Sequence, residues 1–261
     1  MIDLIKTINK GIDYREPVGW PVYNRPDELL DRSAFVTASE IGYCERKIKL
    51  DKMKPPAANL DVGYTKTSSS EDWGFFERGH NVEAWAVNHI RNGWEHEEYT
   101  PMFMGSEQVS FVEGPQSGTP DAAFIGRNDV IIGEFKSIDP RTNISRLPKL
   151  VHVDQVMQNL DLVSSNMNLS PTGGVLLYID ASNYKNRYSF DITWDEAHAD
   201  RLLQRAIRIQ NTAPEDLEPE GLFKDDCKYC SHTARCSAMI REKRNGESYD
   251  QDLKDASGKF F

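Results

Sequence analysis

GTPDAAFIGRNDVIIGEFKS (residues 118–137) holds two apolar runs, AAFIG and DVIIGEF, on either side of Arg127-Asn128. A tight turn at that dipeptide folds the runs into an antiparallel hairpin. The pairing sets Asp121 directly opposite Glu134, with Cβ atoms about 4.5–5.5 Å apart. Alternation along the second strand puts Lys136 on the face of Glu134 and turns Phe135 to the other face. As solvated surface charges these groups would contribute about 0–1 kcal/mol per pair. However, IIGEFKSI is too apolar for a freely solvated strand. Carboxylates forced together by register repel each other at neutral pH, and their hard oxygens suit a divalent cation such as Mg²⁺ or Mn²⁺.

Working outward, a helix is expected upstream from about Trp73 to Arg91, with Phe75, Gly79, Val82, Ala86 and Ile90 on its inner face. Glu83 borders that face and brings a third carboxylate towards the hairpin. Strands are expected around Tyr99 to Met104 and Glu107 to Val112. Downstream, HVDQVMQNLDLV (152–163) reads as a helix and GGVLLYIDA (173–181) as a buried strand. YSFDITW (188–194) alternates Tyr188, Phe190, Ile192 and Trp194 as a half-exposed strand. Thr193 and Glu196 form a capping box for a helix to about Gln210, and Thr37 and Glu40 form another for a helix to about Asp51. Pro55-Pro56 ends the latter. Residues 1–33 are Pro-punctuated and read as an irregular arm, 54–72 as a loop, and 241–261 as a polar tail, leaving one main domain over 34–240.

A chain of 261 residues that is 39% hydrophobic can bury one good core. No apolar run approaches the roughly 18 residues of a membrane span, and MIDLIKTINKGIDYRE has no apolar h-region before a small-residue cleavage site. The expectation is a cytoplasmic protein with no membrane association. A net charge of -10 lowers the expectation of nucleic-acid binding without removing it, since a carboxylate-rich body can carry a basic strip. Basic residues cluster as Arg46, Lys47, Lys49, Lys52 and Lys54, as Arg141, Arg146 and Lys149, and as Arg201, Arg205 and Arg208. Solvated helix faces account for each equally well. The cysteines are Cys44 and a C-x2-C-x5-C group, Cys227, Cys230 and Cys236. In a reducing compartment such a set points to metal or redox chemistry rather than disulfides, and four thiolates satisfy either zinc or an iron–sulfur cluster.

GTPD (118–121) with EFK (134–136) resembles the PD-(D/E)XK nuclease signature. RGHNVE (78–83) is similar to the G-x-x-x-H/E motif that precedes it in RecB-type nucleases, and HVDQVMQNL resembles their motif IV helix. The one-plus-three cysteine frame, with SEIGYCERK around Cys44, resembles CRISPR-associated RecB-like exonucleases and the iron–sulfur nuclease domains of AddB-type helicase–nucleases. The resemblance runs from about Thr37 to Cys236. It implies an α/β fold of the restriction-endonuclease-like kind, a mixed sheet flanked by helices, with an iron–sulfur-stapled helical and C-terminal subdomain. It also implies a metal-dependent DNA exonuclease. Glu83, Asp121, Glu134 and the carbonyl of Phe135 would hold Mg²⁺ or Mn²⁺, Lys136 would orient the attacking water, and Gln155 would contact DNA or steady Lys136. Cys44, Cys227, Cys230 and Cys236 would bind a 4Fe–4S cluster that staples the C-terminal segment to the N-terminal helical region.

The chain departs from the family pattern twice. Glu83 stands where many relatives have His, with His80 nearby as an alternative ligand, and Gln-x-x-x-Tyr becomes Gln155-Val-Met-Gln-Asn159. The implied partners are DNA and either a second copy of the chain or proteins of recombination or CRISPR adaptation. Trp73, Phe75 or Phe76 would stack on bases if exposed. Two rival readings keep the fold or the cysteines without the chemistry: a DNA-end-binding subunit of such a complex, and a zinc-stapled structural protein whose acids are surface charges.

Overall fold

The hairpin is the centre of the larger of two sheets. The computed structural model describes residues 2–13, 34–53, 70–220, 227 and 230–237, with the backbone alone for 70–77. Helix α1 is Leu4–Asp13, strand β1 Val36–Thr37, α2 Glu45–Lys52, α3 Ser70–Gly93, β2 Thr100–Met102, β3 Phe111–Glu113 and β4 Gln116–Gly118. They are followed by β5 Ala122–Ile125, β6 Asp129–Ile138, α4 Leu150–Met167, β7 Ser170–Asp180, β8 Arg187–Thr193 and α5 Glu196–Asn211. Strands β5 and β6 pair from Ala122 with Gly133 to Ile125 with Val130. Gly126 N donates to Asp129 O at 2.9 Å to close the turn. This is the register expected from the sequence, and it leaves Asp121 and Glu134 as the next pair beyond the ladder.

The larger sheet has the order β2-β5-β6-β7-β8, with β6 and β7 parallel and the other pairs antiparallel. A parallel pair needs a crossover, which α4 supplies. The middle of β6 (130–132) and of β7 (175–179) is continuously apolar because both faces are covered there. On one face Ile131, Phe135, Val175, Leu177 and Ile179 pack with Val82, Ala86 and Ile90 of α3 and with Leu4 and Ile8 of α1. On the other, Ile132 packs with Leu160 of α4, and Leu176 and Tyr178 pack with Val156. The smaller sheet, β1-β4-β3, is also mixed. Helices α2 and α5 close over the near end of α4, burying Ile41, Ile48, Met157, Leu202 and Ile209 together. The architecture is therefore α/β, two mixed sheets flanked by helices.

Several elements differ from the sequence reading. Residues 4–13, read as part of an irregular arm, form a helix whose Ile2–Leu4–Ile8 side enters the main core. Gly11 lets α1 meet α3 backbone to backbone, since a Cβ there would lie 2.1 Å from the His89 carbonyl oxygen. The Thr37–Glu40 box does form one of its bonds, Glu40 accepting from Thr37 N at 2.7 Å, but it closes a turn, and α2 starts only after Cys44. The cap of α5 is Asp195, which accepts from His198 N at 3.1 Å, rather than Thr193. The strand expected at 107–112 shrinks to β3, preceded by a 3-10 turn at Gly105–Glu107 and an irregular stretch 108–110. β4 escaped notice because QSG carries no strand signature. The loop read at 54–72 lies largely outside the described residues, as does the tail 241–261. Among the described residues no helix is long and apolar enough to cross a membrane.

Candidate active site

Beyond the last β5–β6 pair the chain of β5 turns away, and the Asp121 side chain occupies the vacated edge of β6. Its Oδ2 accepts from the backbone N of Phe135 at 2.7 Å. A strand residue points its N–H and C=O to the same edge, so the Phe135 carbonyl shares the Asp121 side. The Phe135 ring turns to the opposite face, into the α3 core, as alternation predicts. Glu134 is 1% exposed and faces α4. Its Oε1 accepts from Lys136 Nζ at 2.7 Å and from Gln155 Nε2 at 2.6 Å, and its Oε2 from Asn159 Nδ2 at 3.3 Å. Lys136 Nζ also donates to Gln155 Oε1 at 2.9 Å. Acid, amine and amide thus form one closed set, with Gln155 buried rather than facing solvent.

Burial first, and the neighbouring Asp121 carboxylate second, push Glu134 up to about 8 against the opposing pull of Lys136. Burial alone would lower Lys136, but Glu134 and Asp121 hold it above its usual value. Two acids share one pocket with one cation from the protein.

Glu83 reaches the neighbourhood through a residue the sequence reading did not single out. Gln108 Nε2 donates to Glu83 Oε1 at 2.8 Å and to the carbonyl of Pro120 at 3.5 Å, tying α3 to the residue before Asp121. His80 is exposed, three residues earlier on α3. Among the described residues, no three His, Cys, Asp or Glu side chains gather closely enough to hold a metal ion. The expected convergence of three carboxylates is therefore reduced to a pair, Asp121 and Glu134. With the Phe135 carbonyl on their edge, that pair is a hard-oxygen donor set that fits Mg²⁺ or Mn²⁺.

Gln158 was not singled out in the sequence, and Asn159 stood there only as a departure from the family pattern. They follow Gln155 at three and four residues on the buried side of α4, where polar residues among Val156, Leu160 and Val163 are themselves a signal. Gln158 donates to the carbonyls of Val36 and Ser117 at 3.0 and 3.1 Å, pinning α4 to the smaller sheet. Gly118 lets Asn159 in, since a Cβ there would stand 2.2 Å from Asn159 Oδ1. At the start of α4, Tyr178 accepts from Lys149 N at 3.0 Å and is 2.8 Å from His152 Nδ1. Burial, then Lys136 and Lys149, push His152 down to about 3, so it is neutral.

The cysteines lie far from the hairpin set in sequence but near one another around α2. Cys44 immediately precedes α2. Cys230 accepts from His232 N at 3.4 Å, and Arg46 of α2 donates to Cys236 Sγ at 3.2 Å. His232 Nε2 meets Asp51 Oδ1 at 2.6 Å, bringing the C-terminal segment onto the same helix. All four thiols are half-buried and unbridged. No three of them stand within metal-binding reach of one another, yet one sulfur at the start of α2 and three on the segment that docks against that helix make a set of four soft donors that fits a tetrahedral thiolate centre by donor chemistry.

Two of the basic clusters turn out to be structural. Arg46 is buried, Lys47 pairs with Asp51, Lys52 with Glu40, and Lys49 donates to the Gln210 carbonyl. Arg205 and Arg208 hold the buried Glu45, and Arg205 also binds Glu220. Arg141, Arg146 and Lys149 are exposed in the loop between β6 and α4, beyond the Lys136 end of β6, although Arg141 pairs with Asp139 at 2.8 Å. Lys54 and the side chains of Trp73, Phe75 and Phe76 lie outside the described residues.

No family model and no curated protein matches the chain. Among solved structures, the protein SSO0001 is 19% identical over 90% of this chain and 95% of its own, with a TM-score of 0.49. An alkaline exonuclease, LHK-Exo from Laribacter hongkongensis, is 12% identical over 68% of this chain and 87% of its own, with a TM-score of 0.37. Its complex with dAMP is 12% identical over the same shares, with a TM-score of 0.36. Likenesses of this degree decide nothing about chemistry, which rests on the residues around Glu134.

Proposed function

We propose that the chain is a metal-dependent nuclease of the PD-(D/E)XK type that degrades DNA from its ends. The observation that carries this reading is the closed set of Glu134, Lys136 and Gln155 beside Asp121 at the edge of β6, with Lys136 Nζ 2.7 Å from Glu134 and 2.9 Å from Gln155. Asp121, Glu134 and the Phe135 carbonyl would hold Mg²⁺ or Mn²⁺, with Glu83 swinging from Gln108 to join them. When bound, the cation lowers the pKa of a water and neutralises charge on the scissile phosphate. Gln155 holds the Lys136 ammonium at a fixed position, and that ammonium orients the attacking water and offsets the growing negative charge. Arg141, Arg146 and Lys149 form a basic rim for the DNA backbone. Cys44, Cys227, Cys230 and Cys236 carry a structural 4Fe–4S cluster.

The test is digestion of end-labelled linear DNA and covalently closed circles with Mg²⁺ or Mn²⁺, beside calorimetric Mn²⁺ titration. Linear DNA is expected to be degraded while circles resist. Asp121→Ala and Glu134→Ala are expected to lose both cleavage and tight Mn²⁺ binding. Lys136→Ala is expected to retain Mn²⁺ but lose about 10² or more in turnover, the scale of a positioned catalytic group. Equal nicking of circles would remove the end requirement, and wild-type cleavage by Asp121→Ala and Glu134→Ala would remove the site.

A further inference from the structure

Arg46 is a permanently charged side chain that is 3% exposed. Its Nε donates to the carbonyl of Leu217 at 2.6 Å, its Nη2 to the carbonyl of Glu215 at 3.4 Å, and its Nη1 to Cys236 Sγ at 3.2 Å. Among the described residues it forms no ion pair with Asp or Glu. The adjacent Glu45 is committed to Arg205 and Arg208. Carbonyl dipoles satisfy the N–H groups but do not neutralise a buried guanidinium, and a buried charge left without a counter-charge costs several kcal/mol. Among the described residues, the contact of Arg46 that can carry negative charge is the sulfur of Cys236. A thiol supplies none, whereas a thiolate held by metal does, and the centre around it brings more.

We infer that Arg46 is the positioning residue of the thiolate centre: it supplies the counter-charge to the Cys236 sulfur and fixes that ligand while gripping the loop at Glu215 and Leu217. This rests on the metal–thiolate reading proposed above. Arg46 lies on α2 two residues after Cys44, so one turn of helix presents a sulfur ligand and the charge that faces a second ligand from the C-terminal segment. N–H donation and positive charge at a ligand sulfur stabilise the reduced form of an iron–sulfur centre and slow its loss.

The experiment uses the full chain, purified anaerobically, with iron, sulfide and zinc measured for wild type, Arg46→Gln and Arg46→Lys. Gln keeps donors and loses charge, while Lys keeps charge and loses the fork. Metal-loaded Arg46→Gln is expected to lose its metal to a chelator at least tenfold faster than wild type. If the centre is iron–sulfur, its reduction equilibrium should shift about tenfold towards the oxidised form, about 59 mV more negative for one electron. Arg46→Lys is expected to recover most of the potential but not the slow loss. A loaded Arg46→Gln with wild-type potential and loss rate would overturn the role of Arg46 while leaving the centre in place. Wild-type protein free of iron and zinc would overturn the thiolate reading itself.

Should Arg46→Gln load no metal, urea unfolding in a cycle with Cys236→Ala decides. The cost of Arg46→Gln is expected to shrink sharply in the Cys236→Ala background. An equal cost in both backgrounds would make Arg46 a carbonyl clamp only and overturn the inference.

Discussion

Burial and the Asp121 carboxylate raise the proton affinity of Glu134, and a divalent cation held there, as proposed, would have to compete with that proton. Between the usual glutamate range near 4.5 and about 8, the folded metal-free protein keeps a proton that the unfolded chain has released. The unfolded state then binds fewer protons, so stability declines as pH rises through that window and levels off above it. Urea unfolding of metal-free protein from pH 5 to 8 is expected to show this decline in wild type and a flatter profile in Glu134→Gln, where nothing titrates. Identical slopes in the two would mean that Glu134 is ionised throughout. Mn²⁺ affinity is expected to rise with pH over the same interval, with proton release, because the ion displaces the proton. Asp121, Glu134 and Lys136 were legible in sequence because a two-residue turn fixes their register locally. Gln108 and Asn159 were not, since their contacts with Glu83 and Glu134 depend on how a loop and a crossover helix settle against the sheet.

Helix α4 delivers Gln155 and Asn159 to Glu134, and its distance from the smaller sheet is set at Gly118, where the two elements nearly touch. A methyl group at Gly118 would lie 2.2 Å from Asn159 Oδ1 and 2.9 Å from Leu162 Cδ1, so α4 must retreat or Asn159 must rotate away. Overpacking of this kind costs about 1–3 kcal/mol. Gly118→Ala is therefore expected to lower the urea midpoint and weaken Mn²⁺ binding together, although residue 118 offers no ligand. Wild-type values for both would mean that α4 is not held by that contact. At this scale the sequence was read well where apolar periodicity was long, as in α4, β7 and α5, and poorly where the element was short. β4 is three residues of Gln, Ser and Gly whose burial comes from Gln158 donating to Ser117. The helix at Leu4–Asp13 was hidden by the Pro-rich stretch that follows it, although Leu4 and Ile8 already stand at helical spacing.

The molecule has two polar centres built on different supports. One rests on the hairpin and α4, both made of neighbouring sequence. The other joins α2 to the chain beyond α5, with Arg46 on Leu217 and Cys236, His232 on Asp51, and Glu45 between Arg205 and Arg208. A metal clip joining segments so distant in sequence would close a long loop, and its binding energy would act as folding energy. On the proposed thiolate reading, Cys44→Ala removes a sulfur ligand just before α2, so metal content and global stability are expected to fall together. A loss of about 3 kcal/mol would lower Tm by roughly 6–12 °C in a chain of this size. Glu134→Ala is expected to do the reverse: it deletes a buried acid from a repulsive pair, so metal-free stability holds or rises while cleavage ends, and the thiolate centre stays loaded. The measurement is thermal unfolding, iron and zinc content, and DNA cleavage on both variants side by side. If Cys44→Ala keeps wild-type Tm, contacts such as those of Arg46, His232 and Glu220 hold the C-terminal segment without metal. If Glu134→Ala loses the thiolate metal as well, the two centres are coupled through α4, which touches α5 on one side and Glu134 on the other.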